Sequence, residues 1–257
     1  MRAPILTLTT DFGLSDHYVG SMKGVILGIC PRAQLVDISH QVSRHAIAEG
    51  AFVVAQAYRS FPPGTVHVVV VDPGVGSQRR PILMEAAGQY FIAPDNGVLA
   101  MVFAREKHKV RLISNARYFH RPVSQTFHGR DIFAPVAAHV AAGVAPARIG
   151  KVVADYVRPP FERPRQTGER TWTGQILHID HFGNVITNFH GDDFPALQQL
   201  AIGRAKARRL VHSYAEAPAG ELVAIVGSSG YLEVSVNQGS AVEKTGCRSG
   251  GACQIRV

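Results

Sequence analysis

Apolar and polar positions alternate along the first half of the chain in a strand–helix rhythm. Ile5 to Thr10 predicts a β-strand that stops at Asp11-Phe12-Gly13. Asp16 to Ile29 predicts a helix, with Ser15 or Asp16 as its N-cap and Pro31 just beyond its end. Gln34 to Ser39 predicts a second strand and Ala46 to Tyr58 a second helix. Phe61-Pro-Pro-Gly64 marks a turn. The β-branched run from Thr65 to Val71 then has the character of a buried central strand. Two short strands follow, Ile82 to Ala86 and Tyr90 to Ala93, around Gly88. The Pro94-Asp95-Asn96-Gly97 turn leads into a short helix from Val98 to Arg105. A last helix spans Phe133 to Ala142, with Pro135 in its first turn.

Strands alternating with helices predict an α/β layer domain with a central, mostly parallel sheet over residues 1–157. Between Asp155 and Thr171 the composition turns to Pro, Arg, Glu and Gln, and residues 158–171 are expected to form a linker. Short strands follow at Gly174 to Asp180, Val185 to Asn188, Ala207 to Val211, Leu222 to Val226 and Tyr231 to Val236. They predict a smaller, all-β, barrel-like domain over residues 172–257.

Composition narrows the function. The net charge is +8, but the basic residues are scattered and no basic stripe is interleaved with aromatics. The densest group, Arg158, Arg163, Arg165 and Arg170, sits among prolines and has the look of a linker face, so no nucleic-acid partner is expected. Three cysteines make no disulfide framework. Cys30 is expected to be buried, whereas pairing of Cys247 with Cys253 stays open. No apolar stretch reaches the roughly 18 residues of a membrane span, and no leader pattern precedes the first strand; the cytoplasm is the expected compartment.

Three polar loops carry candidate chemistry. Asp72-Pro-Gly-Val-Gly-Ser-Gln-Arg79-Arg80 leaves the buried strand, and its spacing lets an arginine fold back onto Asp72. Its glycines suggest a phosphate loop, but no Gly-Lys-Ser/Thr follows. Thr126 to Asp131 presents His128 ahead of a helix, with Asp131 placed to cap or support the helix N-terminus. Asp180 to Asn188 opens the β domain with an acceptor, amides and an aromatic, a set suited to a small polar molecule. Gly227 to Tyr231, with Asn237, adds backbone N–H groups and hydroxyls. No His-Glu-x-x-His pattern or facial triad predicts a metal, and no Gly-x-Gly-x-x-Gly follows the first strand.

Taken in order, these segments resemble the S-adenosyl-L-methionine hydroxide adenosyltransferase family, relatives of the fluorinases and chlorinases. The resemblance rests on Thr10-Asp11-Phe12-Gly13, Val71 to Gly76, Ala93 to Gly97, Thr126 to Asp131, His181-Phe182-Gly183-Asn184, Gly230 to Glu233 and Asn237. It implies hydrolysis of S-adenosyl-L-methionine to adenosine and L-methionine, with no cofactor. It implies an Asp-Arg-His set that positions water or hydroxide, here Asp72, Arg79 and His128, with Arg80 as the alternative arginine. By the same matching Asp11 would bind the ribose hydroxyls. Asp16 and Asp180 would hold the methionine ammonium, with Tyr18 near the methionine carboxylate. Asn184 would read the adenine with Tyr214 against its face, and Ser229 and the Val236-Asn237 backbone would complete the pocket. A homotrimer with ligand between the N-terminal domain of one subunit and the C-terminal domain of the next is also implied. Halide transfer is the competing activity and non-catalytic adenosyl binding a third reading. The halogenating relatives replace the Asp and His and carry an insertion near Pro81 that this chain lacks, which favours hydrolysis.

Overall fold

The computed structural model describes residues 3–159 and 163–257. Backbone contacts divide the chain into two compact units, Met1–Phe161 and Glu162–Val257. Residues 160–162 of the expected linker lie outside the described residues.

In the first unit the chain runs β1 (Ile5–Thr10), α1 (Tyr18–Ile29), β2 (Gln34–Ser39), α2 (Ile47–Ala57), β3 (Val66–Val70), β4 (Pro81–Ala86), β5 (Gln89–Pro94), α3 (Ala100–Arg105), β6 (His108–Leu112), α4 (Ala134–Ala141), α5 (Pro146–Ile149) and β7 (Val152–Val153). The seven strands form one sheet in the order β2-β1-β3-β5-β4-β6-β7. β2, β1, β3 and β5 are mutually parallel, and β4, β6 and β7 join antiparallel to their neighbours. Hence the sheet is mixed, with its parallel half at the β2 side.

Period-two alternation puts Leu6 and Leu8 of β1 on one face, in a core with Val66, Val68 and Val70 of β3 and with Met22, Ile26 and Phe133. Helices α1 and α4 pack together over that face. Thr7 and Thr9 are buried on the other face. There Thr7 Oγ1 meets His67 Nδ1 at 2.7 Å, and His67 Nε2 meets Gln89 Oε1 at 3.2 Å. Burial pushes His67 down to about 4, which makes it a neutral core histidine.

The topology matters for function at β1 and β3. The chain leaves β1 for β2 on one side, while β3 lies on the other. Such a reversal opens a crevice at the carboxyl ends of the two strands. Asp11 follows β1 there, and Asp72 follows β3.

Several expected details differ. The N-cap of α1 is His17, without a side-chain hydrogen bond, and Ser15 and Asp16 lie exposed ahead of it. The helix expected to begin at Phe133 is preceded by a π-helical turn, Gly129–Phe133, and α4 starts at Ala134 with Pro135 in its first turn. The polar strand β6, His-Lys-Val-Arg-Leu, between β4 and the two-residue edge strand β7, carries too little apolar pattern to be read from sequence.

The second unit contains β8 (Arg165–Gly168), β9 (Thr171–Ile179), β10 (Val185–His190), β11 (Gln199–Ile202), β12 (Ala205–Ala207), β13 (Leu210–Val211), β14 (Leu222–Val226), β15 (Tyr231–Val236), α6 (Ala241–Thr245) and β16 (Ala252–Arg256). The strand order is β12-β11-β16-β9-β10-β15-β14-β13, with β8 also paired to β9. Since β12 comes back against β14, the sheet curls into a nearly closed barrel. Val185, Phe189, Leu200, Leu232, Val234 and Ile255 fill it. The expected linker is thus corrected at Arg165–Gly168, which is a strand. Arg158, before it, lays its guanidinium 4.2 Å from the Tyr156 ring centre. The Gly-rich C-terminal segment contains α6 and β16. Cys30, Cys247 and Cys253 are free thiols, with Cys30 buried as expected. Burial, helped by the neighbouring Cys247, pushes Cys253 up to about 12.

Candidate active site

The loop after β3 folds back so that Arg79 returns to Asp72. Arg79 Nε donates to both Asp72 oxygens at 2.8 Å, and its Nη2 also donates to Oδ2. The same Nη2 donates to His128 Nδ1 at 2.9 Å. Both members of the ion pair are nearly buried, with side-chain exposures of 9% for Arg79 and 4% for Asp72. Arg79 also sits over the Phe133 ring, 5.1 Å from its centre, so the π-helical turn supplies the floor of the site.

Gly76 allows this closure. Its φ is 76°, and a β-carbon there would run into the Gln125 carbonyl oxygen. A bare α-carbon brings the Asp72 loop against the segment that ends in His128. Downstream, Ser124 N donates to Asp131 Oδ2 at 2.9 Å and Arg130 Nε to Oδ1 at 2.6 Å. Asp131 therefore fastens the preceding loop and does not cap α4. Burial works against its charge, but Arg130 and Ser124 hold its carboxyl below the usual range.

The adjacent arginines are separated by the structure. Arg80 pairs with Asp95 at 2.8 Å and Asp155 at 2.9 Å, and takes no part in the Asp72 cluster. Asp95 is buried and also accepts from Val157 N at 2.7 Å. Arg80 is a clamp on the unit's own fold.

The Arg79 contact fixes the histidine's chemistry. A guanidinium can only donate, so His128 Nδ1 must present a lone pair, and a neutral ring then carries its proton on Nε2. Electrostatics agree: burial first, and the Arg79 charge second, hold His128 below the ordinary imidazole value. His128 is half-buried and is a neutral N–H donor at pH 7.

Around this cluster lie the other residues singled out in the first unit. Asp11 Oδ2 accepts from His45 N at 2.9 Å at the end of β1. Tyr18 stacks edge-on to Phe127, the neighbour of His128, at 5.0 Å, and Phe12 lies 5.8 Å from Tyr18. These aromatics tie the Asp11 loop to the His128 loop. Asp16 is exposed on the same loop.

The second unit has its own cavity of about 860 Å³, lined by Asp180, Asn184, Tyr214, Val236 and Asn237 together. Asp180 Oδ1 accepts from Phe182 N at 2.9 Å and Asn184 N at 2.8 Å, and Oδ2 accepts from Asn184 Nδ2 at 2.8 Å. One amide proton of Asn184 is thereby committed, and its Oδ1 keeps its acceptor capacity. Asn237 spends its side chain on Ala217 O at 2.6 Å and its carbonyl on Gly220 N at 2.8 Å. Ser228 lines the cavity. Ser229 does not, and its hydroxyl is buried without a partner among the described residues. Phe182, the aromatic expected in this set, lines the cavity, and so does Glu233, to which sequence reasoning gave no individual role. A carboxylate inside the apolar alternation Tyr-Leu-Glu-Val-Ser-Val was the signal for Glu233. Among the described residues no three His, Cys, Asp or Glu side chains converge as a metal group requires, and no helix is long and apolar enough to cross a membrane.

An α/β domain with a buried carboxylate–guanidinium–imidazole cluster, followed by a curled β domain with a polar cavity, defines a two-domain ligand-handling architecture. Residues 6–150 match the SAM hydroxide adenosyltransferase N-terminal domain and residues 174–254 its C-terminal domain, and the chain belongs to that family. It is 38% identical, over 98% of its length and 97% of the relative's, to the (R)-S-adenosyl-L-methionine hydrolase of Salinispora tropica. The fluorinase of Nocardia brasiliensis is 29% identical, covering 100% of this chain and 98% of that enzyme. That second alignment spans 296 positions, more than the 257 residues here, so the fluorinase carries segments this chain lacks. In this chain β4 and β5 are joined by Ala87-Gly88 alone, both at positive φ. An uncharacterised conserved protein from Thermotoga maritima superposes with a TM-score of 0.91 at 38% identity, covering 98% of this chain and 100% of that one.

Two outcomes follow from this geometry. Arg80→Met removes the partner of a buried carboxylate and is expected to cost about 2 kcal/mol of stability. Its denaturation midpoint should fall while turnover stays near wild type. A loss of turnover matching that of Arg79→Met would reassign the arginine. The pH profile of kcat, taken at saturating substrate, should hold down to pH values below the ordinary imidazole range, because His128, with its lowered pKa, stays neutral until then. An acid limb at or above that range would show that neutral His128 is not the working form.

Proposed function

We propose that this protein hydrolyses S-adenosyl-L-methionine to adenosine and L-methionine, by in-line attack of water on the ribose C5′. One observation carries the reading: Arg79 joins Asp72 and His128 into a site that offers both an acceptor and a donor to one small molecule. Water can donate to the Asp72 carboxylate and accept from His128 Nε2–H. The sulfonium leaves as a neutral thioether and requires no general acid. The protein's task is to place and desolvate the nucleophile.

The assignment of the proton follows from the tautomer. While Arg79 holds His128 Nδ1, that nitrogen has no free lone pair, and Nε2 already bears a proton. Asp72 is then the group toward which the water proton moves, and His128 orients the oxygen. Asp11 is assigned to the ribose hydroxyls, with Asp16 and Tyr18 toward the methionyl end. Asn184, Tyr214 and Asp180 are assigned to the adenine and methionyl ammonium, with the Val236-Asn237 backbone at the rim; the buried Ser229 is left out. We place the reaction in the cytoplasm, and propose a homotrimer in which the first unit of one subunit and the second unit of the next share the ligand.

The competing reading is transfer of halide to C5′. The carboxylate of Asp72 opposes it, since an anion there meets a like charge. Asp72→Asn is expected to lower turnover by at least about a hundredfold with much smaller loss of ligand affinity. Chromatography of the products should show adenosine with or without chloride. A 5′-halo nucleoside from wild-type protein, or unchanged turnover in the variant, would sink the proposal. Sharing of the site has its own test. Asp72→Asn and Asn184→Ala subunits, each impaired alone, should regain up to about a quarter of wild-type activity when co-expressed. No recovery in mixed oligomers would remove the shared site.

A further inference from the structure

The cavity of the second unit contains a carboxyl group that the assignment above leaves without a task. Glu233 is buried in the middle of β15, yet it lines the cavity. Its register partners are Ile186 on β10 and Ile225 on β14, which offer it no polar side chain. The carboxyl rests against Gly227, where any β-carbon would overlap Glu233 Oε1. A bare residue at 227 is therefore what leaves Glu233 room beside the cavity.

Asp180 and Glu233 differ in what they have left to give. Asp180 is met by three N–H groups of its own turn. The group beside Glu233 is the Tyr214 hydroxyl, which favours its charged form. Burial, and then the negative charge of Asp180, outweigh that help and push Glu233 up to about 7. In return, burial and the charges of Glu233 and Asp180 raise Tyr214. A buried carboxyl with spare acceptor capacity at the wall of a polar cavity is completed by a donor from the ligand.

We infer that Glu233 is a specificity-determining residue of the proposed S-adenosyl-L-methionine site, accepting an N–H from an amino group of the ligand. The inference rests on the reading of this cavity as that ligand's. Two amino groups share the required chemistry, the exocyclic amine of the purine and the methionyl ammonium. The titratable groups facing Glu233 are Asp180, from the turn between β9 and β10, and Tyr214; β10, β14 and the Gly227 turn add none. An N–H donor favours the ionised carboxylate, so binding expels the Glu233 proton and affinity rises as pH climbs through about 7.

Calorimetry with adenosine, inosine and L-methionine on wild type and Glu233→Leu separates the two sources. A loss of about tenfold for adenosine but not for inosine assigns the purine amine. A similar loss for L-methionine assigns the ammonium. Unchanged affinity for both, in a variant that folds, overturns the inference and leaves the site reading standing. Wild type that binds none of these ligands nor S-adenosyl-L-methionine overturns both. Should Glu233→Leu not fold, Glu233→Gln decides, measured with S-adenosyl-L-methionine in an Asp72→Asn background that suppresses turnover. Affinity that rises between about pH 6 and about pH 8 with Glu233, and is flat with Gln, supports the inference. Equal pH slopes overturn it.

Discussion

A guanidinium holds its five N–H donors in a rigid plane, and at Arg79 that plane is divided between a carboxylate and an imidazole. The rest of the first unit is arranged around this division. The carboxylate must come from the end of a buried strand, because only there does it lose water yet keep an opening to a crevice. Val66–Val70 supplies the strand and Asp72 the carboxylate. The guanidinium must return over the loop, which Gly76 permits by letting the backbone reach the Gln125 carbonyl. The imidazole must lie at the start of a helix packed on the same core, and the π-helical turn before α4 puts it there while Phe133 supports the arginine. Sheet, loop and helix each contribute one member, so the cluster exists only when the unit is folded.

The second unit solves a different problem. Its cavity is built from backbone-rich turns and a curled sheet, and much of its polar inventory is spent on itself. Asp180 closes its own turn, and Asn237 ties the chain to Ala217 and Gly220. A residue matched by motif is therefore not automatically a residue with free hydrogen-bonding capacity. The groups that retain capacity are Asn184 through its Oδ1 and Glu233 through its carboxyl, and of these the second was masked by its place in an apolar strand.

Much of this was legible in the sequence, for reasons that differ by element. β1 and β2 have the predicted bounds because their patterns end at polar or glycine residues that no strand continues through. β6, β11 and β16 were not read, since short strands with one wet face carry weak alternation. The π-helical turn has no distinguishing composition. The choice between Arg79 and Arg80 could not be made from sequence either. The two are adjacent residues entering β4, and neighbours on such a segment project to opposite sides. One turns to Asp72 and the other to Asp95, and only the three-dimensional partners decide it.

The same accounting bears on the choice of nucleophile. A halide ion accepts hydrogen bonds and donates none, so a halide site needs donors left over and no acceptor facing it. Here the Nε and Nη2 of Arg79 are directed at Asp72 and His128, and the pair it forms with Asp72 has little net charge to offer an anion, even where its Nη1 still donates. The neutral imidazole offers a single N–H, which also meets the Ser124 backbone, beside a carboxylate that can only accept. A molecule that both donates and accepts fits that pairing; an ion that only accepts meets one favourable partner and one repulsive one. In the proposed reaction, the tautomer that Arg79 imposes on His128 would favour water over halide with no change in the shape of the pocket.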